Sequence, residues 1–196
     1  MKKKSGKKAA AAFRAAVTSI ERVVADAENA EFPQTHLTWI YDYAVISLYR
    51  EFEALVLECL VAAINNNTAQ LSATTGVLFP KHLTDEVCEY IVVGDGYFDF
   101  RGRDGLIKTL RRFLPDTHYL VAIAKSGSYR GTLDRLNALR NFAAHRSRVA
   151  KKRALEAING RYLSSPGAWL KKQGRFFSLT RSLLRLSDEI AAQATH

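Results

Sequence analysis

Apolar residues recur every three or four positions through most of the chain, and that period predicts helices. Phe13, Val17, Ile20 and Val24 mark a first helix over 9–29, which Pro33 ends or interrupts. Tyr41, Val45, Leu48, Phe52, Leu55, Cys59 and Ala62 step by four and three alternately, an apolar seam seven positions long. Asn65, Asn66 and Asn67 stop that helix, because their side chains compete for backbone hydrogen bonds. The stretch 68–80 reads as loop closed by Phe79-Pro80, and 83–93 as a short helix or a strand. Gly94-Asp95-Gly96 signals a turn, 97–100 an extended piece, and Asp104 an N-cap for a helix over 105–114 ahead of Pro115. After a break at 126–131, Leu133, Leu136, Leu139, Phe142 and Val149 give one helix over 132–158 an apolar side. Ser165-Pro166 is a cap followed by proline at the first helical position. The last helix carries Trp169, Phe176, Leu183 and Ile190 on one face, with Gly174 as a candidate kink.

These elements predict an all-α fold: a single domain over 9–196, built on four long helices around one core, with short elements inserted around 68–128. Residues 1–8, rich in lysine, read as a disordered basic tail. No internal repeat and no interdomain linker stands out.

Charge changes the picture. The net charge is +10 and its distribution is uneven. Residues 1–100 hold nine Lys/Arg against thirteen Asp/Glu, whereas residues 101–196 hold twenty against six. A half this basic favours phosphate-rich partners through counterion release, although a solvated surface accounts for the same composition. Cys59 and Cys88 lack CxxC spacing and lie in apolar surroundings, so they read as buried thiols of a reducing compartment. No signal-type apolar region and no stretch long enough for a membrane span is present. The expectation is a soluble cytoplasmic protein without membrane association.

One segment carries candidate chemistry. Asn137, Asn141, His145, Arg148 and Lys152 follow at spacings of four, four, three and four, a polar stripe on the 132–158 helix. Arg140 sits beside it, and no carboxylate occurs between Arg140 and Arg153. RNA cleavage by internal transesterification needs a base for the 2′-OH proton, a cation for the phosphorane and an acid for the leaving oxygen. Histidine suits the proton transfers near neutral pH. Arginine suits the phosphate oxygens through its planar fork, and asparagine can orient either. RNA supplies its own nucleophile, so this chemistry needs no metal and no cofactor. An Arg and a His on one helix often occur by chance, and helical histidines are mostly surface or packing residues.

The segment Arg140-Asn141-Phe142-Ala143-Ala144-His145 resembles the signature of the HEPN superfamily: arginine, four to six residues, then histidine, with a polar residue after the arginine. The approach Leu136-Asn137-Ala138-Leu139 is similar too. Leu48-Tyr49-Arg50-Glu51-Phe52-Glu53-Ala54-Leu55 resembles the long early helix of that superfamily, and the Trp169-to-Ile190 stretch its closing helix. The resemblance covers most of 37–192 and points to the RiboL-PSP-like or MAE-like group. It implies a helical bundle and a metal-independent endoribonuclease leaving a 2′,3′-cyclic phosphate, of the kind found in toxin–antitoxin and antiviral defence systems. It also implies a homodimer whose facing motif helices share one cleft, with Arg140, Asn141 and His145 catalytic, and an antitoxin protein as a possible partner. A non-catalytic RNA-binding module, or a protein-interaction bundle with a basic face, is the alternative.

Other residues fall around this core. Arg146, Arg148 and Lys152 are candidates to hold the RNA backbone; a solvated helix end favoured by the macrodipole explains them as well. Glu53 and Glu51 could support Arg140 or His145, or simply pair with Arg50. Trp39, Tyr41 and Tyr43 could stack bases, though aromatics at helical spacing are more often core. Lys171, Lys172, Arg175, Arg181 and Arg185 extend the basic character to the last helix. His36, His82 and His118 are scattered and suggest no metal site.

Overall fold

The seven-position seam is buried along its whole length, with Val45, Leu48, Phe52 and Cys59 fully shielded from solvent. It belongs to the longest helix of a computed structural model that describes residues 3–195. Ten helices follow one another: α1 (Gly6–Asn29), α2 (Gln34–Asn66), α3 (Thr68–Thr75), α4 (Asp85–Val93), α5 (Gly102–Arg111), α6 (Tyr119–Lys125), α7 (Gly127–His145), α8 (Arg148–Ala157), α9 (Pro166–Leu170) and α10 (Arg175–Gln193). Among the described residues there is no strand, so the chain is all-α as its periodicity predicts.

The four long helices close a ring: α1 packs on α2, α2 on α7, α7 on α10, and α10 back on α1. Their apolar faces meet at Phe13, Val17, Phe52, Leu136, Leu139, Phe176 and Leu183, all buried. Burial of each such side chain stabilises by about 1.5–3 kcal/mol, which outweighs the weak polar ties between helices. Those ties still fix register. The Tyr41 hydroxyl donates to Glu28 at 2.7 Å across α1 and α2, and Thr132 meets Ser182 at 2.7 Å across α7 and α10. The short helices α3 to α6 fill the interval 68–128, where short inserted elements are expected.

Several local expectations are corrected. Residues 68–75 are helical, started by the Asn67 side chain, which accepts from the Gln70 amide. The ambiguous 83–93 stretch is helix, capped by Thr84. The helix expected from 105 begins at Gly102, with Asp104 inside its first turn, and the break at 126–131 narrows to Ser126, the N-cap of α7. The basic tail is docked from Lys3 onward; Met1 and Lys2 lie outside the described residues. Lys4 Nζ pairs with Glu58 at 2.7 Å and Glu89 at 3.0 Å, and Lys3 Nζ donates to the Asn65 carbonyl at 3.0 Å. The physical reason is local complementarity: Lys4 meets carboxylates of the acidic half, Lys3 a carbonyl at the end of α2, and Ser5 then caps α1.

The correction that matters most concerns the predicted 132–158 helix. It is two helices. Arg146 adopts a left-handed backbone (φ 47°), its N–H closes α7 on the Phe142 carbonyl, and Ser147 Oγ accepts from Ala150 N to start α8. Val149, expected on the apolar side, is therefore exposed. The last helix is split likewise. Pro166 opens α9 behind its Ser165 cap, and Gly174 (φ 62°) turns the chain into α10. The two cysteines are buried and unpaired. Burial pushes the Cys59 thiol up to about 12. No helix among the described residues is long and apolar enough to cross a membrane.

Candidate functional site

Arg140 faces α2. Its guanidinium carbon lies 4.5 Å from the centre of the Tyr49 ring, and its Nη1 donates to Asn141 Oδ1 at 2.8 Å. Asn141 Nδ2 then donates to Asn137 Oδ1 at 3.2 Å. The buried Tyr49 hydroxyl donates to the Phe100 carbonyl at 2.7 Å, and the ring is held under the guanidinium by its burial and by the Phe100 ring 5.7 Å away. Burial first, then the nearby Glu53 and Asp99 carboxylates, raise the Tyr49 pKa, so this hydroxyl stays a donor. A planar cation held on an aromatic face keeps its outer N–H groups free for an oxyanion.

Glu53 stands one turn after Tyr49 on α2. Burial pushes its carboxyl up to about 7; Arg140 opposes that shift, while Asp99 adds to it. Glu53 thus acts on Arg140 through the field, and among the described residues it makes no direct ion pair with Arg140 or bond to His145. Glu51 is engaged with Arg50 Nη2 at 2.9 Å.

His145 is the last residue of α7 and is exposed, with no hydrogen bond or ion pair among the described residues. Five residues separate it from Arg140, which is about 140° of rotation and about 7.5 Å of rise. Within one copy the two side chains leave the helix on different sides. The structure brings Arg140 and Asn141 together and keeps His145 apart.

The break after His145 redistributes the remaining cations. Arg146 Nη2 lies 3.6 Å from Oδ2 of Asp42, whose side chain is only 8% exposed. The other Asp42 oxygen accepts from the Gly167 amide at 2.6 Å. Burial raises the Asp42 pKa, while the Gly167 N–H and Arg146 oppose it. Arg148 occupies the first turn of α8, and Lys152 follows on an exposed turn. The favourable macrodipole expected for these cations is reversed at Arg148, since the amino end of a helix repels positive charge. Lys151 sits 5.7 Å from the centre of the Tyr162 ring. Arg181 and Arg185 are exposed on α10.

Sequence reasoning missed Tyr49 and Asp42 as partners. Their signal was present: Asp42, Tyr49 and Glu53, spaced by seven and four, share one face of α2 at 100° per residue. Asp99 carried no such signal, because its place depends on the irregular 97–100 segment. His118, one of the scattered histidines, caps α6 by accepting from Leu120 N at 3.3 Å. Among the described residues no group of three His, Cys, Asp or Glu side chains could hold a metal ion. One surface concavity, lined by Gly6, Asn66, His118 and Gln193, contains no residue of the 140–145 segment.

Comparison of the chain with protein-family models, curated proteins and solved structures finds no match in any of the three.

Proposed function

We propose that this chain is a metal-independent endoribonuclease of the HEPN type that its Arg-Asn-x3-His segment resembles, acting as a homodimer in a toxin or antiviral defence role. The observation that carries the reading is the held arginine: Arg140 is oriented by the Tyr49 ring and by its Nη1 bond to Asn141, and among the described residues its Nε and Nη2 have no hydrogen-bond partner. An exposed histidine, without a partner among the described residues, follows on the same helix. The absence of carboxylates from Arg140 to Arg153 supports it. So does the crowding of Arg146 and Arg148 at the amino end of α8, an unfavourable arrangement that a phosphate offsets.

In this reading the RNA 2′-OH attacks phosphorus. The O2′–P bond forms and the P–O5′ bond breaks. His145 of one copy takes the 2′-OH proton or gives a proton to O5′, and His145 of the other copy performs the complementary transfer. Arg140 stabilises the charge of the phosphorane, and Asn141 holds Arg140 in place. The separation of Arg140 and His145 on one helix supports a shared cleft, because a second copy supplies the group that one copy cannot aim. The same separation favours a second reading, a monomeric RNA-binding module without turnover.

Mixing separates the two. His145→Ala and Arg140→Ala proteins are each expected to be inactive on RNA, and an excess of His145→Ala protein is expected to silence wild-type protein, because each mixed dimer holds one histidine where the chemistry needs two. Cleavage by each variant alone at the wild-type rate would overturn the reading.

A further inference from the structure

The aromatics at the start of α2 part company in the fold. Tyr41 is in the core, 2% exposed, whereas Trp39 and Tyr43 stand out at 54% and 74%. At 100° per residue Trp39, Tyr43 and Arg50 fall within about 40° of one another, a single outward row beside the Asp42–Tyr49–Glu53 face. His36 stacks on Trp39 with ring centres 5.3 Å apart and planes inclined by 28°. Between His36 and Arg50 the row contains no carboxylate: its positions are His36, Trp39, Tyr43, the half-buried Ile46, Ser47 and Arg50, while Asp42 at its edge is buried and Glu53 follows beyond Arg50. Arg50 does pair with Glu51, but its side chain is 76% exposed, and such a pair contributes little.

The row is level with the candidate site. Asp42 touches Arg146, and Tyr43 and His145 are their immediate neighbours in sequence. Trp39 precedes Asp42 by less than one turn. Exposed rings bordered by Arg50 and by the two-thirds-exposed Arg146 form the combination that single-stranded nucleic acid needs: π-faces for unpaired bases and cations for the backbone between them. Paired bases cannot offer those faces.

We infer that Trp39 and Tyr43 form a stacking platform for unpaired bases, so that the substrate is single-stranded RNA laid along α2 with its phosphates toward the Arg146 and Arg148 cations. The inference rests on the ribonuclease reading for its orientation and extends it by naming the residues of this chain that hold the unpaired bases. A protein partner, or a second copy of this chain, is the rival occupant of the same row, and the lack of a carboxylate in the row between His36 and Arg50, with the bordering arginines, argues for RNA.

The experiment measures binding of a fluorescein-labelled single-stranded 12-nucleotide oligouridylate, and of a 12-base-pair RNA duplex, to full-length protein carrying His145→Ala to prevent turnover. Adding Trp39→Ala or Tyr43→Ala is expected to weaken single-strand binding about fivefold or more for each ring removed. Duplex binding is expected to be unchanged, and so is the salt slope of single-strand binding, because no phosphate contact is lost. In a Trp169→Phe background, Trp39 fluorescence is expected to be quenched by the oligonucleotide. Both rings are exposed, so melting curves are expected to match the parent. Equal single-strand affinity in parent and double variant overturns the platform, as does a dimer that falls to monomers when the rings are removed. If the rings prove necessary for binding while wild-type protein never cuts RNA, the ribonuclease reading fails and the platform stands.

Discussion

The Arg140 guanidinium lies over the Tyr49 ring, whose hydroxyl is tied to the Phe100 carbonyl. The ring and the hydroxyl therefore do separable jobs. Tyr49→Phe keeps the ring and strands a buried carbonyl, which is expected to lower stability by about 1–3 kcal/mol and leave kcat/KM for RNA near wild type. Tyr49→Leu removes the aromatic face, worth about 0.5–2 kcal/mol to the cation, and is expected to lower kcat/KM roughly tenfold. Denaturant melts and steady-state kinetics on both variants check the split; full activity in Tyr49→Leu would show that the ring does not position Arg140.

Asp42 offers a similar dissection. One oxygen holds the Gly167 amide and the other faces Arg146 without a hydrogen bond. Asp42→Ala leaves the Gly167 N–H unsatisfied, and a loss of about 1–3 kcal/mol is expected. Asp42→Asn keeps an acceptor and removes a charge that burial disfavours, so its stability at neutral pH is expected to equal or exceed wild type. Equal destabilisation by the two substitutions would mean that the pairing with Arg146 governs this junction.

Gly167 brings α9 against α2 so closely that a Cβ there would sit 2.0 Å from the Thr38 carbonyl oxygen. Backbone cannot swing away as a flexible side chain can. Gly167→Ala is expected to destabilise by about 3 kcal/mol or more, read as a fall in the denaturant midpoint. A midpoint within error of wild type would contradict this packing.

Glu53 gives the fold a pH dependence with a defined sign. Burial raises its carboxyl from the ordinary 4.5 to about 7. Between those values the unfolded chain has lost the proton that the folded chain still holds. Stability therefore falls as pH rises from about 4.5 to 7 and is level above that. Glu53→Gln removes this loss. The variant is expected to melt at a higher temperature than wild type at pH 8, with the advantage vanishing at pH 4. The same difference at both pH values would assign the effect to packing.

Long apolar periodicity made the fold legible. The α2 seam predicted seven buried positions, and all seven are buried. The Ser165-Pro166 start of α9 was readable for the same reason, a strong local preference. The break at Arg146 was not. It uses a left-handed arginine where glycine is the usual signal, and it is backed by a contact to Asp42, more than a hundred residues away. Ser147 was the only local hint. The docking of Lys3 and Lys4 was hidden because a charge run says nothing about which acids it will meet. At the candidate site, Arg140 and Asn141 could be placed on one helix from spacing alone. The ring under Arg140 required knowing how α2 and α7 cross.

The central claim is that Arg140 and His145 cut RNA through the RNA's own 2′-OH. Its most direct test is the product end formed by purified wild-type protein on a labelled single-stranded RNA with EDTA present. The account predicts cleavage that leaves a 2′,3′-cyclic phosphate and a free 5′-hydroxyl, and that is lost in His145→Ala. Intact RNA under these conditions, or cleavage that persists in His145→Ala, would contradict it.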